Sequence, residues 1–137
     1  LNGKSIQVSA VETLVASILD TGFSYDFQRR LDQAEIWRDV LTRVHAIRQT
    51  GSAALNLSYI AAGRLDGYWE RGIAPWDVAA GALLVTEAGG SVTDFRGGPF
   101  RSDDREILAS NALLHRELQN VIERHLSTPP NRAELGV

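Results

Sequence analysis

ERGIAPWDVAAGALLVTEAGG, residues 70–90, is the stretch whose reading decides the fold. Pro75 stands at the first position of a helix, where its missing N–H costs nothing, and Gly89-Gly90 is a stop signal. Between them Val78, Ala79, Gly81, Ala82, Leu83, Val85 and Thr86 are small and apolar nearly all round, which predicts a helix buried in close contact with a sheet. The run just before it, Leu65–Glu70 (LDGYWE), alternates as a strand with Asp66-Gly67 as a bulge or tight start. Strand, turn and buried helix therefore follow one another.

The same pattern extends in both directions. Upstream, Leu14–Leu19 is a short apolar run with the length of a buried strand. Phe23–Arg30 reads as an aromatic and polar loop. A helical face of Ile36, Val40, Leu41 and Val44 follows, with capping-box spacing from Asp32 to Glu35 and an end near Val44. His45–Arg48 is a short strand, and Gly51–Ala62 a glycine turn, a serine cap and a helix stopped by Gly63. Downstream, Ser91–Asp94 and Ile107–Ser110 are strands around a Gly97-Gly98-Pro99 turn, and Asn111 opens an amphipathic helix through Leu126. Strands alternating with helices predict an α/β layered sandwich: a mixed, mostly parallel sheet flanked by helices.

At the front, Asn2-Gly3 is a two-residue hairpin signal because both positions favour φ > 0. Lys4–Val8 would be the strand after it, while only Leu1 remains of the strand before it. This predicts that residues 1–8 are the remnant strand of a missing N-terminal domain, 9–126 a C-terminal α/β domain, and 127–137, with Pro129-Pro130, a loosely held tail.

Composition bounds the function. The chain has 137 residues, 44% of them hydrophobic, enough to bury a core. Its net charge of −3 comes from mixed signs with no Lys/Arg run to track a phosphate backbone, which argues against nucleic acid as a partner. No apolar run approaches the roughly 20 residues of a membrane span, which argues against a membrane. The absence of cysteine fits a reducing compartment, and the expected location is cytoplasmic.

Three features converge on the carboxyl edge of the expected sheet, where open α/β sheets bind ligands. Gly51-Ser52 opens a helix whose free N–H groups and dipole favour an anion. Glu70 ends a strand, and Asp77 falls in the first turn of the next helix. Each has a plainer reading too: Ser52 as an N-cap, Asp77 as a complement to the helix dipole. Together they suit a phosphorylated polyol held with Mg²⁺, although one Asp would hardly hold that ion alone.

These residues also carry a resemblance. Arg48-x-x-Gly51-Ser52-Ala53-Ala54, Gly63-Arg64-x-Asp66-Gly67-Tyr68-x-Glu70, Pro75-Trp76-Asp77-x-Ala79-Ala80-Gly81, Glu87-Ala88-Gly89-Gly90 and Gly97-Gly98-Pro99-Phe100 resemble the C-terminal half of an inositol monophosphatase-type enzyme. The resemblance implies Mg²⁺-dependent hydrolysis of a phosphate monoester. It implies Asp77 as catalytic metal ligand close to the leaving oxygen, Glu70 as acceptor for polyol hydroxyls, and Gly51, Ser52 and Ala53 as the substrate-lining turn. Arg48 would contact substrate or support that turn, with a surface salt bridge as its alternative, and Trp76 and Pro75 would fix the direction of Asp77. A homodimer and lithium sensitivity are further implications. The departure is large: the family's D-P-x-D-G-[ST] motif and other acidic metal ligands, which belong to its N-terminal half, have no match here. Two alternatives stay open: the same chemistry on histidinol phosphate, fructose bisphosphate or a nucleotide 3′-phosphate, or a non-catalytic binding or assembly module.

Overall fold

The computed structural model describes residues 1–126, so the tail expected over 127–137 lies outside the described residues. Five strands, β1 (Ile18–Thr21), β2 (Ala46–Arg48), β3 (Gly67–Arg71), β4 (Ser91–Thr93) and β5 (Glu106–Ser110), alternate with four helices. The helices are α1 (Phe27–Leu41), α2 (Ala53–Ala61), α3 (Pro75–Glu87) and α4 (His115–Glu123). The strands form one sheet in the order β2-β1-β3-β5-β4. β1 pairs in parallel with β2 and β3, β5 runs against β3, and β4 against β5, so four of the five strands point the same way. The expected α/β sandwich with a mixed, mostly parallel sheet is the fold.

Strand periodicity divides the core in two. Tyr68, Ile107 and Ala109 face α2 and α3, where they pack with Leu57, Ile60, Val78 and Val85. Trp69 and Leu108 face the other way, with Leu19, Ile36, Val40, Leu118 and Ile122 under α1 and α4. Each fully buried aliphatic or aromatic side chain contributes about 1.5–3 kcal/mol relative to exposure, so these two layers hold the helices in place. Gly81 sets the spacing within one layer. A Cβ there would stand 2.5 Å from Leu57 Cβ, so only glycine lets α3 approach α2 this closely. On the outer side of the same pair Leu55, Trp76, Leu83 and Leu84 are exposed.

Topology creates the crevice. The helix after β1 covers one face of the sheet and the helix after β3 covers the other, although β1 and β3 are neighbours. The carboxyl ends of these two strands are therefore left open between diverging connections.

Several local expectations are corrected. α1 begins at Phe27, not Asp32, because Asp26 caps it by accepting the Arg29 N–H at 2.9 Å, and it ends at Leu41. Leu14–Ala16 is a 3₁₀ turn closed by Ser17 Oγ donating to Leu14 O at 2.7 Å, and the strand starts after it. The Asn2-Gly3 turn exists, with φ of 51° and 77° and Lys4 N donating to Leu1 O at 3.0 Å. Lys4–Val8 does not join the sheet. Val8 N instead satisfies the Ala88 carbonyl at the end of α3, at 3.1 Å. Asn111 does not begin α4. Its amide ties β5 to Ser9 Oγ and Val11 O at 2.9 and 2.8 Å, and the helix starts at His115. Among the described residues no helix is long and apolar enough to cross a membrane.

Candidate active site

A cleft of about 400 Å³ opens at the carboxyl ends of β1 and β3, lined by Thr21, Gly22, Gly51, Ser52, Ala53, Asn56, Glu70 and Asp77 among others. Five of the six residues predicted from the sequence meet there. Gly51 has φ +84°, a conformation natural to glycine, while the space around its Cα is open. That backbone turn puts Ser52 at the N-cap of α2, where its Oγ accepts the Leu55 N–H at 3.3 Å. The Ser52 hydroxyl is therefore occupied as a cap. The first N–H groups of α2 remain without intrahelical partners and form the positive end of the dipole beside the cleft.

Glu70 sits at the end of β3, partly buried, and accepts a hydrogen bond from the Tyr68 hydroxyl two residues earlier on the same face. Burial raises its pKa above the ordinary carboxylate range, the charges of Asp77 and Asp20 add to the rise, and the Tyr68 bond partly offsets it. Tyr68 is held above its ordinary range by burial and by the adjacent Glu70 charge, so its hydroxyl stays a donor. Gly22 is the floor under this pair, because a Cβ at that position would collide with the Glu70 carboxylate.

Asp77 lies in the first turn of α3 behind Pro75, exposed, with no side-chain hydrogen bond or ion pair among the described residues. It is open to accept a ligand. Trp76 does not pack to steer it, since that residue is 83% exposed; the direction of Asp77 comes from the helix turn that Pro75 begins. Arg48 stands apart. Its guanidinium is exposed, donates only to Ile47 O at 3.4 Å, lies outside the cleft lining and makes no ion pair among the described residues.

Reasoning from sequence missed Asp20, Asn56 and Tyr68. Asp20 is fully buried near the end of β1, where it accepts the Thr50 N–H at 3.1 Å and the Asn56 amide at 2.7 Å. Burial pushes its pKa up to about 6, against the pull of those hydrogen bonds. The available signal was a carboxylate closing an apolar run at a strand's carboxyl end. Among the described residues no group of three or more His, Cys, Asp or Glu is placed to hold a metal ion.

The model of the inositol monophosphatase family matches residues 1–128. An inositol-1-monophosphatase of Synechocystis is 46% identical over 123 residues, covering 89% of this chain and 43% of that protein. A protein named Nus factor SuhB from Pseudomonas aeruginosa is 39% identical over 135 residues, covering 96% of this chain and 49% of its own length. The solved inositol monophosphatase of Anabaena superposes with a TM-score of 0.84 at 41% identity, covering 96% of this chain and 52% of that one. The chain thus spans about half the length of the relatives it matches.

Proposed function

The chain belongs to the inositol monophosphatase family, and from that premise we propose that it is the C-terminal portion of a Mg²⁺-dependent phosphatase hydrolysing inositol monophosphate or a related polyol or sugar phosphate. One observation carries the reading: Glu70, Asp77 and the open N-terminus of α2 border a single cleft of about 400 Å³. Each supplies a different part of such a ligand's recognition. The N–H groups after Gly51 face phosphate oxygens, Glu70 accepts from polyol hydroxyls, and Asp77 offers a hard carboxylate oxygen.

The donor set fits Mg²⁺ in part. The ion takes octahedral oxygen ligands and is commonly held by one or two carboxylates with waters and substrate phosphate. Asp77 has a free, exposed carboxylate of the right chemistry, while the described residues offer no complete cage. Asp77 would be one ligand, and further carboxylates would come from outside the described residues. When bound, the ion would activate water and neutralise charge on the phosphoryl group. This chain's own residues would orient the ester: the α2 turn holds the phosphoryl end, and Glu70, set by Tyr68, holds the alcohol. A cytoplasmic homodimer belongs to the same reading. Arg48 would then support the turn from its outer side.

The test is Mg²⁺-dependent phosphate release by the protein as encoded, on inositol 1-phosphate, histidinol phosphate, fructose 1,6-bisphosphate and a nucleotide 3′-phosphate. Preference for the inositol or a sugar ester is expected; no metal-dependent release from any of them would overturn the reading. The relatives named Nus factor SuhB favour a second reading, in which the protein serves as an assembly module. The exposed Leu55, Trp76, Leu83 and Leu84 suit that role. Turnover comparable to that of a phosphatase would count against assembly as its sole role.

A further inference from the structure

Beneath the turn that borders the cleft lies a closed ring of hydrogen bonds through the side chains of Asp20, Asn56 and Thr50 and the Thr50 backbone N–H, which the phosphatase reading does not use. Asp20 Oδ2 accepts the Thr50 N–H at 3.1 Å, and Asp20 Oδ1 accepts from Asn56 Nδ2 at 2.7 Å. Thr50 Oγ1 closes the ring by donating to Asn56 Oδ1 at 2.6 Å. Asp20 and Asn56 are buried, whereas Thr50 is exposed and precedes Gly51. Asn56 also lines the cleft and, through its own N–H to Ser52 O at 2.9 Å, forms the first full turn of α2.

We propose that Asp20 is the positioning residue of the Thr50–Ser52 turn, and that the direction of hydrogen bonding around the ring is set by whether Asp20 carries a proton. The proposal rests on the reading of the cleft given above and adds a residue to it. Charged, Asp20 can only accept, so the Asn56 amide must point its NH₂ inward and its oxygen toward Thr50. Thr50 must then spend its hydroxyl hydrogen on Asn56. When Asp20 takes up a proton it becomes a donor. The Asn56 amide turns over, accepts from Asp20 and donates to Thr50 Oγ1, and the Thr50 hydroxyl hydrogen is released on the exposed side of the turn for an anionic acceptor. The same proton removes a negative charge from beneath the N-terminus of α2, where negative charge and a bound anion repel.

The surroundings allow that proton uptake. Burial without a cation at hydrogen-bond distance pushes the Asp20 carboxyl up to about 6, within reach of ordinary solution pH. The groups that face it are few. Arg48 on β2 and Tyr68 on β3 are its register partners, Glu70 lies two residues further along β3, Asp77 stands at the start of α3, and α2 presents only Asn56. Arg48 is exposed and donates only to Ile47 O at 3.4 Å, so no cation offsets the burial of Asp20.

The experiment needs no substrate or metal, so it can fail while the phosphatase reading stands, and the reverse. In ¹⁵N-labelled protein the backbone amides of Thr50, Gly51 and Ser52 and the side-chain amide of Asn56 are followed by NMR from pH 4.5 to 7.5. All four are expected to titrate together with a midpoint near 6, to keep that midpoint in Glu70→Gln, and to lose it in Asp20→Asn. Thr50→Val keeps the backbone N–H but removes the hydroxyl that orients Asn56. Its midpoint is expected to rise by about half a pH unit, a factor of about 3 in proton affinity. Should Asp20→Asn fail to fold, the wild type and the other two variants decide. Flat shifts at the turn, a titration that persists in Asp20→Asn, or an unmoved midpoint in Thr50→Val would each overturn the proposal.

Discussion

Tyr68 and Glu70 stand two residues apart on one face of β3, and the buried hydroxyl of the first donates to Oε2 of the second. Glu70 is thereby held against Gly22, with Oε2 committed to Tyr68 while the residue lines the cleft. Tyr68→Phe removes the bond that favours the charged carboxylate. The expected result is a KM three- to tenfold higher, or about 0.7–1.4 kcal/mol, with kcat within about twofold, because the interaction lost is a ground-state contact. The acid limb of the KM profile should also move to higher pH. Gly22→Ala, whose Cβ strikes the same carboxylate, should shift KM in the same direction and further. Steady-state kinetics on the preferred ester checks both, and an unchanged KM in Tyr68→Phe would remove Glu70 from substrate binding.

Asp77 is tested by separating activity from stability. Its carboxylate makes no hydrogen bond or ion pair among the described residues, so its only structural service is to the α3 dipole, worth about 0.3–1 kcal/mol at an exposed position. Asp77→Asn should therefore abolish Mg²⁺-dependent turnover while leaving the urea midpoint close to that of the wild type. Loss of more than about 2 kcal/mol of stability would instead mark a structural residue.

What the sequence disclosed depended on how locally each element is specified. α2 and α3 announce themselves because Gly51-Ser52, Pro75 and Gly89-Gly90 act on their own neighbours. α1 hides its first turns because its polarity is inverted: Phe27 is exposed, while Gln33 is buried, donating to Gly22 O and Arg71 O and accepting from Ser24 N. Glu70 and Asp77 were legible as carboxylates at a strand end and a helix start. Asp20 was not, because its partners lie 30 and 36 residues away and only the sheet brings them beneath it. Arg48 matched a motif, yet strand β2 ends with its side chain outside the cleft lining.

The raised pKa of Asp20 also makes a stability prediction. Between the unfolded value near 3.8 and the folded value of about 6, the folded chain binds more protons at this site than the unfolded one. Stability from this group is thus fully present below about 4 and is lost as pH rises through about 6, by at most about 3 kcal/mol. Asp39, whose pKa is lowered chiefly by its hydrogen bond to His125, works oppositely and at lower pH, so raw stability curves mix the two. Subtracting Asp20→Asn, which cannot ionise there, isolates the effect. The variant should gain on the wild type by about 1–3 kcal/mol in urea unfolding between pH 4.5 and 7.5. A pH-independent difference would mean that the buried carboxyl stays in one protonation state throughout.

The α2–α3 contact gives the sharpest prediction about folding. Gly81 faces Leu57, whose Cβ and Cδ1 lie 2.5 and 2.6 Å from where an added Cβ would stand. Leu57 is fully buried, so it cannot swing away into solvent. In an open helix Gly→Ala would stabilise by about 1 kcal/mol through helix propensity. Here overpacking, typically about 1–3 kcal/mol, opposes that gain and outweighs it. Gly81→Ala is therefore expected to lower stability by about 1 kcal/mol, and Gly81→Val by more, since the β-branched side chain adds volume and loses propensity. Because α2 carries the Ser52 cap and α3 carries Asp77, forcing the helices apart should also weaken activity beyond what the stability loss alone explains. Equilibrium urea unfolding with Gly81→Ala and Leu57→Ala singly and together checks the source of the effect. Partial relief of the Gly81→Ala penalty in the double variant is the expected result, because Leu57→Ala removes Cδ1 and keeps Cβ, and simple additivity would place none of the strain on the Cδ1 contact.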